Sequence, residues 1–205
     1  MKLELHLHTN RYSGCAMNTP EEMLARLVEL DYQAVFLTEH DAVWSEREIR
    51  DLQNAWPQIR IFPGLELTLY NLKGFCHLLI LGATEEEFLG MTDPGEVLLR
   101  AREKNYPTIL AHPYRWEGAA DMLEKGHYPD AIEGSTPNVP PPQAVMAQAA
   151  AGEMNMPVVN SGDAHDVDFL GQYWIETDQP VDTPAQLRQI LLEGRYQNRS
   201  ADEPN

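Results

Sequence analysis

The sequence predicts an α/β fold in which a mostly parallel sheet or barrel carries helices along its outside. Short apolar runs alternate with stretches of helical period and helix-capping residues, the pattern of repeated β-α units. With 205 residues, the chain is long enough to bury the core of one domain. It is short for an eight-fold barrel, which typically takes about 250 residues. We therefore expect one domain over residues 1–197, followed by a flexible tail at 198–205.

The individual elements follow in order along the chain. Residues 3–8 alternate three leucines with Glu4, His6 and His8, so a strand is expected with its leucines on one face. Thr19 and Pro20 have the residue types that cap and begin a helix. The apolar run at 34–38 predicts a buried parallel strand. Further strands are predicted at 59–62, 75–81, 108–111, 130–134, 157–160 and 173–175, and further helices at 44–55, 94–104, 142–154 and 183–193.

The charge balance narrows the class of partner. The chain has 15 Lys and Arg against 32 Asp and Glu, a formal net charge of −17. Such a surface repels long nucleic acid and anionic membranes, so neither is expected as a partner. No apolar run is long enough to suggest a membrane span, no secretory signal is visible, and only Cys15 and Cys76 are available for disulfides. These features predict a cytoplasmic protein, and they leave the oligomeric state open.

The histidines are the most informative residues. Six of the seven lie in or just after predicted strands: His6, His8, His40, His77, His112 and His165. The seventh, His127, lies in a polar loop. Because the carboxyl ends of parallel strands meet at one edge of a sheet and carry the active sites of such folds, we expect these six side chains to converge.

Carboxylates accompany these histidines. Glu66 follows the predicted turn at Pro63-Gly64, and Asp163 lies two residues before His165. Each motif alone has a structural explanation, such as a polar strand face, a hydrogen-bonded histidine, a surface glutamate or an Asx turn. Together, six imidazoles and two carboxylates exceed the needs of one tetrahedral zinc ion. The set predicts two or three ions that share a bridging carboxylate.

The ordered motifs resemble the polymerase and histidinol phosphatase (PHP) family of metal-dependent phosphoesterases. They run from His6 to His165 in the order His-x-His, Glu-His-Asp, Gly-x-Glu, His, His-Pro and Asp-x-His. The resemblance implies a compact, distorted seven-stranded (β/α) barrel. It also implies one ion held by His6, His8, Glu66 and Asp163, a second held by Glu66, His77 and His112, and a third position served by His40 and His165.

The third position departs from the family pattern. Many relatives place an Asp or His shortly after His-x-His, but residues 9–15 of this chain contain neither. Ser13 and Cys15 are the available substitutes, and Cys15 is also the one rival nucleophile. Nitrogen and oxygen ligands suit zinc, manganese or iron, and the sequence does not separate these metals.

The implied activity is hydrolysis of a phosphoester by a metal-activated water, with the phosphomonoester of a small metabolite favoured as substrate. Arg11 and Arg115 each follow a predicted ligand by three residues, and we predict that they bind the substrate phosphate. Asp41 is a candidate for protonating the leaving group, as are His40 and His165. Three alternatives remain: a nucleotide or oligonucleotide phosphodiesterase, a non-catalytic metal-binding regulatory module, and a metal-dependent amidohydrolase.

Overall fold

The computed structural model describes residues 1–202 and contains a mixed sheet that curls into a nearly closed barrel. The strands are β1 Lys2–Leu7, β2 Ala34–His40, β3 Arg60–Asn71, β4 Gly74–Leu81, β5 Thr108–Ala111, β6 Ala131–Glu133, β7 Val158–Val159, β8 Tyr173–Thr177 and β9 Tyr196–Ser200. The helices are α1 Pro20–Glu29, α2 Glu46–Ala55, α3 Pro94–Glu103, α4 Asp121–Glu124, α5 Pro141–Met154 and α6 Pro184–Leu192, with 3-10 turns at Glu86–Gly90 and Val167–Phe169. The α/β barrel prediction is confirmed, with nine strands in the order β7-β6-β5-β4-β3-β2-β1-β8-β9 instead of seven.

The strand directions correct the expectation of a mostly parallel sheet. Within residues 1–202, β1, β2 and β3 run parallel, as do β5, β6 and β7. Strand β4 is antiparallel to both of its neighbours, and β8 and β9 form an antiparallel edge beside β1. The physical reason is the short turn between β3 and β4, because so few residues can join only antiparallel strands.

Strand β3 continues through Pro63-Gly64, where the sequence predicts a break. Pro63 pairs with Leu37 and Gly64 with Thr38 of β2, so the ladder is uninterrupted. A Cβ atom at Gly64 would lie 2.7 Å from the Cγ2 of Thr38, so the glycine permits this close approach. Glu66 consequently lies inside a rigid strand and not after a turn.

A bulge in β1 changes which side chains face the interior. The register with β2 shifts between Glu4 and Leu7. Leu3 and Leu5 pack in the barrel interior, whereas Leu7 packs with the outer helices, so the prediction of three leucines on one face is wrong. The buried Glu4 carboxylate accepts hydrogen bonds from the backbone N–H groups of Leu5 and His6 at 3.0 and 3.1 Å. The bulge leaves His6 and His8 on the same side, facing inward.

The core has an interior and an outer layer. Interior side chains of the strands pack with Leu187 and Leu191 of α6, while α1 and α2 cover one outer side and α3 and α5 another. Arg188 of α6 binds Asp130, which precedes β6. Helix α6 therefore closes the end of the barrel where β6 begins. In the described part of the chain, no helix has the length and apolar character needed to cross a bilayer.

Strand β9 lies at one edge of the sheet, and two of its side chains form hydrogen bonds with β7 at the other edge. The Nδ2 of Asn198 donates to the carbonyl of Val158 at 2.8 Å, and the hydroxyl of Tyr196 donates to the same oxygen at 2.7 Å. Asn198 through Ser200, which the prediction assigns to the start of a flexible tail, instead pair with β8. Residues 203–205 of that tail lie outside the described residues.

Candidate metal centre and cleft

The six predicted histidines and two carboxylates come together at one end of the barrel. His6 and His8 come from β1 and its end, His40 from the end of β2, Glu66 from β3 and His112 from the end of β5. Asp163 and His165 follow β7. His77 belongs to antiparallel β4, whose beginning lies beside the ends of β3 and β5. This reversal brings His77 to the same end although it lies early in its strand.

Glu66 lies at the centre of the cluster and is fully buried. Its Oε1 lies 2.7 Å from the Nδ1 of His77 and 3.1 Å from the Nε2 of His112. Its Oε2 lies between 3.0 and 3.1 Å from one ring nitrogen in each of His6, His8 and His40. The two carboxylate oxygens thus face different groups of imidazoles, which is the arrangement required of a bridging ligand.

The donor atoms fit divalent metal ions better than they fit hydrogen bonding with one another. The Nε2 atoms of His6 and His8 are 3.0 Å apart, and two imidazole lone pairs at this distance repel unless a proton or cation lies between them. Glu66 Oε2 and His77 Nδ1 lack hydrogen-bond geometry despite their short contacts. Within residues 1–202, four groups have ligand atoms within 4.8 Å of one another: His6-His8-Asp163, His6-Glu66-His112, His40-Glu66-His77 and His8-His40-His165.

The buried carboxylates and imidazoles change one another's pKa values. Burial opposes protonation of His6, but Glu66, Asp163 and Glu133 outweigh it and raise its pKa. Burial likewise opposes ionisation of Glu66, yet His6 and the neighbouring imidazoles hold the pKa of Glu66 well below its usual range. Burial lowers the pKa of His40 to about 3. The ring of His40 is consequently neutral at pH 7, with its lone pair free for a cation.

A cleft of about 530 Å³ opens over this cluster. Five of the predicted ligands line it: His40, His77, His112, Asp163 and His165. The other lining residues are Cys15, Thr68, Tyr70, Phe75, Arg115, Trp116 and Asn138.

Comparisons with known proteins agree with this architecture. A model of the PHP-associated family matches residues 144–196, a range that contains Asp163 and His165. A two-domain protein of Bacteroides vulgatus, described as containing a predicted PHP-like metal-dependent phosphoesterase, aligns with a TM-score of 0.72 over 98% of this chain at 15% identity. The chain has the fold of this PHP-like protein. The predicted resemblance to the PHP family is confirmed.

Two further structures share the fold of this chain. A protein of Bifidobacterium adolescentis, assigned as a metal-dependent phosphoesterase, aligns with a TM-score of 0.62 and 12% identity over 80% of this chain and 87% of its own. An amidohydrolase of Chromobacterium violaceum, solved with sulfate and without metal, aligns with a TM-score of 0.66 and 13% identity. The alignment covers 98% of this chain and 99% of the amidohydrolase. This chain spans 64% of the Bacteroides protein's length. No curated protein matches the sequence.

Glu133 at the end of β6 is a site residue that the sequence reasoning missed. It is fully buried, and its Oε1 lies 2.9 Å from the Nδ1 of His6 and accepts a short hydrogen bond from the hydroxyl of Ser161. Its Oε2 accepts the backbone N–H of His112 at 2.8 Å. A glutamate that ends a short apolar strand beside the histidine-bearing ones is a sequence pattern that could have found it.

Two other buried glutamates organise the loops of the cluster. Glu4 accepts the backbone N–H of Gly162 at 2.7 Å, next to Asp163. Glu39 accepts hydrogen bonds from the hydroxyls of Thr9 and Ser13 at 2.5 and 2.6 Å. Each carboxylate joins two chain segments that carry predicted ligands, and both are fully buried.

In the loop that follows His8, Ser13 and Cys15 are the residues available in place of the missing third-site ligand. The hydroxyl of Ser13 donates to Glu39 and accepts the backbone N–H of His40 at 3.0 Å, and the Nδ1 of His8 lies 3.4 Å from the same oxygen, so Ser13 already has three polar neighbours. Cys15 lines the cleft, but burial, reinforced by the nearby carboxylates, raises the pKa of its thiol. Cys15 is therefore poorly suited to act as a thiolate nucleophile.

Arg11 and Asp41 do not occupy the predicted positions. The guanidinium of Arg11 lies 2.9 Å from the Oε1 of Glu48, in a separate groove beside α2. The loop turns it outward, away from the cleft. The carboxylate of Asp41 accepts the N–H and hydroxyl of Thr68 at 2.7 and 2.8 Å, and Asp41 does not line the cleft. These findings correct both predictions and leave Arg115 as the predicted phosphate-binding residue within the cleft.

Proposed function

We propose that this protein is a metal-dependent phosphoesterase that hydrolyses the phosphomonoester of a small metabolite with water as the nucleophile. The observation that carries the proposal is Glu66, whose two oxygens face different groups of imidazoles beneath an open cleft. When bound, two or three divalent ions (zinc, manganese or iron) would supply an acidified water and neutralise the phosphoryl charge.

The proposed ligand sets are those that the family resemblance implies, and the contacts of Glu66 support them. His6, His8, Glu66 and Asp163 form the first set, and Glu66, His77 and His112 form the second. Oε2 of Glu66 faces the first set and Oε1 faces the second, which supports Glu66 as the bridge. His40 and His165 form the third set, and the nearby ring of His8 lies within reach of both.

Asp163 is oriented by residues of the cleft. Its Oδ2 lies 3.3 Å from the Nη1 of Arg115 and 3.0 Å from the Nδ2 of Asn138. Its Oδ1 lies 3.4 Å from the Nε2 atoms of both His6 and His8. One oxygen is thus occupied by outer partners while the other remains directed at the cluster. Arg115 has further N–H donors to offer a substrate phosphate.

The surface charge and the cleft favour a small substrate. The chain carries a net charge of −17, which disfavours a long polyanion, while bound cations would make the pocket itself attractive to a compact anion. Phosphodiester hydrolysis would use the same chemistry and remains the runner-up. Amide hydrolysis is the second candidate, because the structurally similar Chromobacterium protein is an amidohydrolase.

Metal analysis coupled to a substrate panel tests the proposal. The purified protein is assayed with phosphomonoesters, phosphodiesters and amides after loading with zinc, manganese or iron. We expect at least two ions per chain and the highest kcat/KM on monoesters. Faster hydrolysis of diesters or amides would favour those alternatives. Full metal occupancy without hydrolysis of any compound would favour a regulatory module.

Acidification is expected to release the metal. Protonated imidazole cannot bind a cation, and the pKa values of His6 and His8 are raised in the metal-free protein, so protons compete with metal from above the ordinary histidine pKa of about 6.5. Affinity and activity should both fall as the pH is lowered from 8 to 5. The check is a series of metal titrations at fixed ionic strength. Equal affinity at pH 8 and pH 5 would contradict this ligand assignment.

Arg115 and Arg11 form a matched pair for testing phosphate binding. Arg115→Ala should raise KM for a phosphomonoester about 10-fold, because a charge-assisted hydrogen bond contributes about 1.5 kcal/mol or more. Arg11→Ala should leave KM unchanged, since its guanidinium binds Glu48 outside the cleft. Steady-state kinetics of both variants provides the measurement. An equal loss in the two variants would remove Arg115 from the proposed site.

A further inference from the structure

We propose that the cleft selects phosphate esters whose alcohol carries an aromatic ring. The ring would pack on an aromatic wall formed by Tyr70, Phe75 and Trp116, all of which line the cleft. This inference rests on the proposed phosphoesterase function and specifies the organic part of its substrate.

The strand register connects the aromatic wall to the metal cluster. Glu66, Thr68 and Tyr70 alternate along β3 and therefore share one face. On β4, Phe75 lies opposite Tyr70, and His77 lies opposite Thr68. The β3–β4 hairpin thus extends beyond Glu66 and His77 as a two-stranded ribbon that presents rings to the cleft. The ring centroids of Phe75 and His77 are 5.2 Å apart, so Phe75 lies directly beside a predicted ligand.

The inner part of the wall is fixed in place. The Nε1 of Trp116 donates to the carbonyl of Phe75 at 2.8 Å, and the two ring centroids are 4.8 Å apart. Trp116 also packs on His112 with centroids 4.9 Å apart. Because Trp116 directly follows Arg115, one chain segment would supply both the phosphate contact and an aromatic surface.

The outer part of the aromatic wall is Tyr70, which is exposed to solvent. The side chain of Tyr70 is 79% exposed although it lines the cleft, and its ring centroid lies 6.2 Å from that of Phe75. An aromatic group beside the phosphate would cover this apolar surface, whereas a small polar alcohol would leave it in water. The aromatic surface runs without interruption from His77 through Phe75 to Tyr70. Because it begins at a predicted metal ligand, we assign it to the substrate.

A matched pair of esters tests the inference. The metal-loaded protein is assayed with 2-phenylethyl phosphate and n-butyl phosphate, whose alcohols have similar acidity and therefore similar leaving-group reactivity. We expect kcat/KM to be about 10-fold higher for the phenylethyl ester, chiefly through a lower KM, since ring packing and added apolar burial together contribute this much. Tyr70→Ala should reduce that preference about 5-fold, and Tyr70→Phe should retain it.

Tyr128→Ala provides the control, because Tyr128 is also exposed but does not line the cleft. It should preserve the ester preference. Equal kcat/KM for the two esters, or equal losses on both in Tyr70→Ala, would overturn the inference alone. Dissociation of a dimer by Tyr70→Ala with no change in ester preference would also overturn it, by assigning the wall to a second copy. Hydrolysis of neither ester would overturn the phosphoesterase function as well.

Discussion

Glu66→Gln will reduce phosphomonoester hydrolysis about 1,000-fold, because metal centres supply several kcal/mol of transition-state stabilisation and this residue joins two of the proposed ligand sets. The amide keeps the size of the side chain but offers one oxygen instead of two. His77 and His112 face one of the original oxygens, and the β1 histidines face the other. The variant therefore should bind fewer ions per chain than the wild type, as measured by elemental analysis.

Glu48→Gln is the matched control for this substitution. Glu48 also accepts several hydrogen bonds, from Arg11, Tyr12 and Ser45, but it lies outside the cleft. Its replacement should leave metal content and kcat/KM unchanged. Wild-type metal content and activity in Glu66→Gln would refute the bridging assignment.

Glu133→Gln should weaken metal binding by 10- to 100-fold, the usual effect of removing a carboxylate that orients a metal-binding histidine. Glu133 contacts the Nδ1 of His6 through one oxygen and the N–H of His112 through the other. A glutamine amide group cannot accept at both positions, so one of these contacts is lost. His112 and Asp163 have positive φ values of 31° and 42°, and Glu133 holds the backbone at His112 directly. Isothermal titration of the metal-free variant measures the loss.

Asp130→Asn separates this positioning role from general stability. Asp130 precedes the same strand at its other end and binds Arg188 at 2.8 and 3.0 Å. Its replacement should lower the melting temperature without changing metal affinity. If Asp130→Asn weakens metal binding as much as Glu133→Gln does, the effect of Glu133 is on folding and not on the metal centre.

The convergence of the histidines was predictable because it depends on strand ends, which short-range patterns reveal. His40 and His112 follow apolar runs, His6 and His8 lie late in an alternating strand, and parallel strands bring such positions to one edge. His77 reaches the cluster for a reason that the sequence pattern does not contain. Its strand runs in the opposite direction to β3 and β5, so an early position in β4 meets late positions in its neighbours.

Other features depend on tertiary contacts that spacing cannot specify. Arg11 and Arg115 have the same offset from a histidine, yet Glu48 of α2 binds the first and Asp163 lies beside the second. The β1 bulge depends on Glu4, whose carboxylate also bonds to Gly162 far along the chain. For Glu133 the sequence offers only its place at the end of a short apolar strand, and its contact with the Nδ1 of His6 depends on the fold.

We expect this cluster to hold at least two divalent ions that together enable phosphoester hydrolysis. The most direct test is to titrate the metal-free protein with Mn²⁺ and to measure, in the same samples, bound ions per chain and hydrolysis of a phosphomonoester. We predict that hydrolysis rises as the second equivalent binds. Saturation below two equivalents, or full occupancy without hydrolysis, would contradict the account.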